Sequence, residues 1–235
     1  MASTTADTDD TSDVETSWQP PAGIHPSVNL PLAFKIYYRK ARLTHFEFYI
    51  GHQKGQVLHA ISGGWEHLLH SKIGLHSGPE TDSPLLGSAV IRSKSVEITL
   101  PSSGDTTHKM ETTRTHFRTQ SANGSFDLLV PGIPAPEHFE WVDSRGPEVQ
   151  SLGNRDKTGW VLLRIGHGAE LGEPVAAYAY DPWSWKLSGH FAFFNSGRTE
   201  ALGGEFVVLA VLSALSLGQK KRVQYSGTNP VFIRD

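Results

Sequence analysis

Potential metal ligands are concentrated in one stretch of the chain, where four of its twelve histidines occur. They are His59, His67, His70 and His76. His67 and His70 are three residues apart, a spacing that places two ligands on one face of a helix but on opposite faces of a strand. The surrounding residues are typical of a strand, and no acidic residue completes a zinc motif such as H-E-x-x-H. We therefore predict partly exposed strand histidines, with no bound metal or other cofactor.

A glycine-rich segment, residues 166–172, superficially matches a dinucleotide-binding loop. Its third glycine falls one position late, and Glu173 and Pro174 lead into a strand where a phosphate-binding helix should begin. A wide hairpin loop is the better interpretation. The chain has no G-x-S-x-G elbow, Walker A loop or protein-kinase motif set. A serine–histidine–acid triad stays open because its members can lie far apart in sequence, but no pattern indicates one and a non-enzymatic role is favoured.

Two short basic clusters are the candidates for binding anionic lipid headgroups. The first is Arg39, Lys40 and Arg42, and the second is Lys220, Lys221 and Arg222. The second cluster follows an apolar run, so it also fits a simpler interpretation, in which cations lie at the negative end of a helix dipole. That interpretation is favoured over a lipid site for the second cluster.

An aromatic pair, Trp183 and Trp185, lies beside Lys186 in a predicted turn. Such a pair can dip into the headgroup layer of a membrane. The alternative, which we favour, is that the two rings cap one end of the folded domain.

The 235 residues include no cysteine, which excludes disulfides and thiolate chemistry. Residues 1–30 are rich in Thr, Ser, Asp and Pro, so we predict a disordered acidic tail, with an unknown protein partner, before one folded domain over residues 31–235. The first residues lack the basic and apolar regions of a secretory signal, which indicates a cytoplasmic location. Five acidic residues lie in the tail, and the rest has only a small basic excess, which argues against nucleic-acid binding.

Short strand-like runs, separated by turn residues, follow the tail. In one of them Phe46, Phe48 and Ile50 lie on one face and the residues between them lie on the other, which is the pattern of a half-buried strand. The predicted strands are residues 34–39, 43–50, 56–61, 67–74, 88–92, 95–100, 110–118, 125–130, 139–143, 160–165, 175–180 and 190–194. About twelve regularly spaced short strands favour a β-sandwich or barrel.

Residues 206–217 break this pattern, because they are apolar apart from Ser213 and Ser216 and are rich in Ala and Leu. We predict a helix with Gly218 as its C-cap. Twelve residues span roughly 18 Å, less than the ~20 residues a bilayer requires, so no transmembrane segment is predicted. A helix that is apolar on all sides must be buried on all sides. We therefore predict a closed antiparallel barrel around this central helix; the alternative is a helix between a sheet and a layer of loops.

The order of these elements resembles the tubby C-terminal-like superfamily, which includes the LURP-one-related proteins and the phospholipid scramblases. It is similar to the largely uncharacterised fungal members over about residues 33–225. The resemblance is carried by the order of residues 139–144, 146–152, 159–164, 174–180, 189–193 and 202–205 and the apolar helix after them. It implies a twelve-stranded barrel around a helix and association with phosphoinositides or other anionic phospholipids. It does not imply scramblase activity here, since there is no cysteine to palmitoylate.

The leading functional hypothesis is therefore a non-enzymatic intracellular barrel that binds anionic phospholipid headgroups and lies peripherally on a membrane. Two alternatives stay open. One is a small-ligand carrier or enzyme with a pocket at one end of the barrel, and the other is a protein-interaction module.

Overall fold

The computed structural model describes residues 23–41, 45–66, 70–114, 122–166, 172–181 and 187–228, which form a closed antiparallel barrel of twelve strands. Each strand pairs with its neighbours in sequence, and β1 pairs with β12 to close the barrel. The strands are β1 (Ala33–Ala41), β2 (His45–Gly51), β3 (His59–Glu66), β4 (His70–His76), β5 (Leu85–Ile91), β6 (Ser95–Leu100), β7 (Thr106–Arg114), β8 (Ala122–Leu128), β9 (Glu137–Ser144), β10 (Gly159–Ile165), β11 (Glu173–Tyr180) and β12 (Leu187–Phe193). The helices are α1 (Pro147–Gln150) and α2 (Gly203–Thr228). The predicted fold class is confirmed.

The alternation of apolar and polar residues decides which side chains line the barrel. In β6, Val96, Ile98 and Leu100 are buried against the interior, and the bounds of this strand are those predicted. In β3 the strand begins three residues later than predicted and continues through Gly63. A Cβ at Gly63 would collide with the ring of Phe46, so the glycine gives this large side chain room inside the wall.

Helix α2 extends further than the predicted residues 206–217. It begins at Gly203 and continues through Gly218 to Thr228, so the predicted C-cap at Gly218 is wrong. A Cβ at position 218 would collide with the hydroxyl of Tyr178, a fully buried side chain of β11. Gly218 therefore permits a close approach of helix and wall rather than ending the helix.

The helix fills the lumen, and its two interior serines are hydrogen bonded. The indole Nε1 of Trp141 donates to Ser213 Oγ at 2.8 Å, and Ser213 in turn donates to the carbonyl of Ala210. Ser216 Oγ donates to the carbonyl of Leu212 at 2.7 Å. These bonds explain how polar residues are tolerated in an otherwise apolar core, where an unsatisfied hydroxyl would be costly.

With 26 residues, α2 is long and apolar enough to cross a membrane, so the sequence argument from its shortness is wrong. The barrel nevertheless buries 78% of its most apolar window. The all-round apolarity of the helix is accounted for by this burial.

The folded body also begins earlier than the predicted boundary at residue 31. Ile24 forms a β-bridge with Pro31, Leu30 is fully buried, and Phe193 N donates to the carbonyl of Leu32 at 2.9 Å. This segment therefore packs against the barrel through the apolar side chain of Leu30. The prediction missed it because the polar composition of residues 1–30 outweighed this one leucine. The rest of the predicted tail, residues 1–22, lies outside the described residues.

Candidate functional site

The two ends of the barrel differ in what surrounds α2. We call the end where the odd-numbered strands finish and the helix emerges the C-terminal mouth, and the opposite end, where α2 begins, the N-terminal mouth. Residues 206–219 of the helix are buried, Lys220, Lys221 and Arg222 are half-buried, and Val223 is exposed. The second predicted basic cluster therefore marks the rim at which the helix leaves the barrel.

The three cations of this cluster point toward different parts of the rim. Successive residues of an α-helix are rotated by about 100°. Lys220 Nζ donates to the carbonyl of Ser93 at 3.1 Å and to Thr112 Oγ1 at 2.7 Å, beside β6 and β7. Lys221 and Arg222 reach other strands. Adjacent positions in sequence thus become three separate contacts around the rim rather than one compact patch.

Lys221 lies on the face of Trp160, with Nζ 4.7 Å from the ring centroid. Burial lowers the pKa of Lys221, while the carboxylates of Asp143 and Asp156 act in the opposite direction. Its stem covers the apolar indole and its amine reaches the rim, as is typical of a lysine at the edge of a hydrophobic region.

Arg222 is enclosed by aromatic rings on the other side of the rim. Its guanidinium carbon lies 4.7 Å from the ring centroid of Phe48, 5.7 Å from that of Tyr38 and 5.9 Å from that of Tyr180. Nη2 donates to Ser188 Oγ at 3.2 Å. In the part of the chain that the structure describes, Arg222 forms no ion pair with a carboxylate, so aromatic faces and hydroxyls are its partners.

The first predicted basic cluster, at the end of β1, is divided and does not gather at the C-terminal mouth. Tyr38, which contacts Arg222, directly precedes Arg39 and so connects the two clusters. Arg39 turns to the outer wall, where it pairs with Glu80 at 3.1 Å and donates to the carbonyl of Pro79. Lys40 is exposed. Arg42 lies outside the described residues, as do Trp183, Trp185 and Lys186.

Charged residues of the described loops are sorted by mouth. At the C-terminal mouth the loops and the emerging helix carry the basic residues Arg92, Lys94, Arg145, Arg155, Lys157, Lys220, Lys221 and Arg222 and the acidic residues Glu148, Asp156 and Asp181. At the N-terminal mouth the loops carry the acidic residues Asp82, Asp105 and Glu200 and the basic residues Lys54 and Arg198, while Glu80 of the same loops is paired with Arg39 of β1. Sequence reasoning missed this sorting, because it depends on which loops share an end of the barrel.

The N-terminal mouth contains a buried ion pair. Arg164 donates from Nε and Nη2 to the two carboxylate oxygens of Glu137, at 2.6 and 2.9 Å. A second carboxylate, that of Glu173, lies 3.6 Å from Arg164 Nη1 and accepts hydrogen bonds from Ser196 N and Oγ. At this mouth the cation is enclosed by carboxylates.

Of the clustered histidines, His59 and His76 are buried near the N-terminal mouth, so the predicted partial exposure is wrong for these two, whereas His70 is half-buried. His59 Nδ1 donates to the carbonyl of His76 at 3.0 Å, and His76 bonds to Ser62 and to the carbonyl of Ser83. Among the described residues no group of three or more His, Asp or Glu side chains could hold a metal ion. His67 and the glycine-rich residues 167–171 lie outside them.

No protein-family model, curated protein or solved structure matches this chain. The class of the protein therefore rests on its own architecture, which is a closed twelve-stranded antiparallel barrel with a hydrophobic helix filling its lumen.

Proposed function

We propose that this barrel binds anionic phospholipid headgroups through its C-terminal mouth. The observation that carries the proposal is the gathering of basic residues at that mouth, opposite a more acidic N-terminal mouth. An anionic membrane attracts the basic end of a protein with this charge distribution. We therefore expect the C-terminal mouth to face the membrane, with the barrel axis roughly perpendicular to it.

The chemistry of the rim also supports the proposal. Arg222 and Lys221 lie on aromatic faces, which stabilise a cation without neutralising its charge. A phosphate oxygen approaching Arg222 therefore meets a cation whose described partners are rings and hydroxyls, whereas Arg92 at the same mouth is paired with Glu97 at 3.0 Å. A planar guanidinium suits such a ligand because it can donate two parallel hydrogen bonds to phosphate.

The filled lumen argues against one form of the alternative hypothesis. Side chains of α2 such as Leu209 and Leu212 are fully buried against the wall, so a carrier holding its ligand along the barrel axis would have to expel its own core. A ligand of this protein is expected at a mouth or on the outer wall.

Liposome flotation tests the proposal. We expect the full chain to float at low salt with vesicles of phosphatidylcholine containing phosphatidylserine or a phosphoinositide, and not with phosphatidylcholine alone. Binding should weaken as salt rises, since the Debye length falls from about 30 Å at 0.01 M to about 10 Å at 0.1 M.

Two double variants, one at each mouth, change the net charge by the same amount, so their vesicle binding can be compared directly. Arg145→Glu with Arg155→Glu alters two exposed residues of the C-terminal mouth, and Lys54→Glu with Arg198→Glu alters two exposed residues of the N-terminal mouth. Each basic residue near an anionic surface contributes about 1 kcal/mol, so the first pair should reduce vesicle partitioning at least about tenfold and the second pair much less. Equal losses in the two double variants, or no flotation of the unaltered chain at low salt, would contradict the proposal.

A further inference from the structure

A serine and a histidine on the outer wall are joined by a short hydrogen bond, away from the C-terminal mouth. Ser62 of β3 is paired across the sheet with Gly74 of β4, and His76 lies two residues beyond Gly74 on the same face. Ser62 Oγ and His76 Nε2 are 2.8 Å apart. This is the distance at which a histidine can accept the proton of a serine nucleophile.

The direction of this hydrogen bond follows from the other nitrogen of the ring. His76 Nδ1 lies 2.9 Å from the carbonyl oxygen of Ser83, which can only accept a hydrogen bond. Nδ1 therefore carries the hydrogen, and in the neutral ring Nε2 has the free electron pair. The hydroxyl of Ser62 must then donate to Nε2, so the carbonyl of Ser83 orients the base in the way a carboxylate does in a catalytic triad.

The loop of residues 77–84 holds His76 in this orientation. Ser77 N donates to the carbonyl of Pro84 at 2.8 Å, and Ala60 N donates to the carbonyl of Gly78 at 2.7 Å, which fastens the loop to β3. His59 Nδ1 donates to the backbone carbonyl of His76. His76 is 5% exposed whereas Ser62 is half-buried, so the base is shielded while the serine borders the solvent.

Gly74 allows the serine and its neighbours to close over the position that a side chain would occupy. A Cβ at this position would lie 2.9 Å from Ser62 Oγ and 2.9 Å from Leu85 Cδ2, so any other residue would crowd the hydroxyl. Leu85 is 45% exposed and gives the serine an apolar neighbour at the surface. An exposed leucine beside the hydroxyl favours a small apolar acyl group over a charged one.

We propose that Ser62 is an activated nucleophile that accepts acyl groups from small carboxylic esters, with His76 as its base. This proposal is independent of lipid binding at the C-terminal mouth, because it concerns other strands and another loop. Ser62 Oγ attacks the ester carbonyl carbon as its proton passes to His76 Nε2. The alcohol then leaves with that proton, and a water molecule hydrolyses the acyl-serine to release the carboxylic acid and restore the hydroxyl.

Labelling with a fluorophosphonate probe tests this reactivity in the full chain. The serine oxygen attacks phosphorus and fluoride leaves, and peptide mass spectrometry locates the adduct. Ser88 is the matched control, because it is a half-buried serine that is also paired with Gly74, from the β5 side, without a histidine partner. General-base assistance contributes about 100-fold or more, so Ser62 should be labelled about 100-fold faster than Ser88.

Ser62→Ala should abolish the adduct and the hydrolysis of p-nitrophenyl acetate, whereas Ser88→Ala should leave both unchanged. His76→Asn should leave Ser62 in place but lower its labelling to the rate of Ser88. If His76→Asn fails to fold, as judged by circular dichroism, the comparison of Ser62 with Ser88 in the unaltered chain decides alone. Labelling of the two serines at similar rates, or hydrolysis that survives in Ser62→Ala, would overturn the proposal.

Discussion

At the N-terminal mouth Arg164 lies against the carboxylates of Glu137 and Glu173, whereas at the C-terminal mouth Arg222 lies against three aromatic rings and a serine hydroxyl. Both guanidiniums sit where a β-strand wall meets solvent. A carboxylate partner neutralises the charge and holds the mouth together. An aromatic partner holds the side chain but leaves its charge available to a further anion. The comparison teaches that two arginines in similar positions differ in their partners, and under the proposed function the one at the C-terminal mouth is the binding residue.

The largest expected effect is the loss of folding when a charge is placed in α2, the helix that fills the barrel between the two mouths. Leu212→Asp places a charge in the apolar lumen, where it is fully buried beside Gly87. Burying an unpaired ion costs several kcal/mol, of the order of the whole stability of a domain, about 5–15 kcal/mol. We expect no cooperative thermal unfolding for this variant, and a normal transition for Val223→Asp at the exposed rim. A soluble, cooperatively folded Leu212→Asp protein would show that α2 is not the shared core.

A direct test of the comparison removes each arginine in turn. Arg164→Ala leaves Glu137 buried without its cation, and such a change typically costs about 3–5 kcal/mol. Arg222→Ala leaves only rings and the hydroxyls of Tyr180 and Ser188 without their cation, so its cost should be about 1–2 kcal/mol. Urea unfolding of both variants measures the difference in the free energy of unfolding. Equal losses would break the distinction between a structural and a binding arginine.

A third prediction concerns how closely α2 approaches the wall near the C-terminal mouth. Gly218→Ala introduces a Cβ against the hydroxyl of Tyr178, and such overpacking typically costs about 1–3 kcal/mol. Removing that hydroxyl with Tyr178→Phe should restore part of the loss in the double variant. Thermal unfolding of the four proteins measures the coupling. Strictly additive effects would indicate that the two residues do not meet.

The smallest expected effect is the pH dependence that His25 contributes at the N-terminal mouth, separate from that of His190 in β12, whose pKa burial lowers to about 4. Burial lowers the pKa of His25 below 6.5, an effect partly opposed by the carbonyls of Gly197 and Thr199 and by the Glu200 carboxylate. His25 Nδ1 also accepts a hydrogen bond from Ser27 N at 3.2 Å. The unfolded chain therefore binds a proton more readily than the folded one, so this contribution to stability is present above pH 6.5 and is lost as the pH falls below it.

Amide hydrogen exchange, corrected for its intrinsic pH dependence, should show residues 23–32 opening more at pH 5.5 than at pH 7.5 while β6 stays protected. His25→Asn is the matched control, since its side-chain oxygen can accept the Ser27 bond but does not titrate. The same acid-induced opening in that variant would assign the effect to another group.

Much of the fold could be predicted from the sequence, because it depends on local patterns. Each of the twelve predicted strands overlaps an observed one, since alternation of apolar residues is visible without tertiary contacts. The bounds of α2 could not be predicted, because Gly218 looks like a helix end until Tyr178 is seen to require it. Leu30 likewise gave no signal, because a single apolar residue in a polar segment has no periodicity.

The candidate sites were less accessible to sequence reasoning. Lys220, Lys221 and Arg222 are evident as a cluster, but the helix rotates them toward different strands. Ser62 and His76 are fourteen residues apart and meet only because Gly74 pairs with Ser62 across β3 and β4. No motif joins them.

The sequence by itself determined that this chain forms short strands around one all-apolar helix, because hydrophobic periodicity and composition are properties of consecutive residues. Only the tertiary structure decided which loops share a mouth, which cations keep their charge available and which serine meets a histidine. Those relations join residues from distant parts of the chain, and the register and closure of the barrel set them. Lys220, Lys221 and Arg222 accordingly contact three different parts of the rim where α2 leaves the barrel, and they do not form one compact patch.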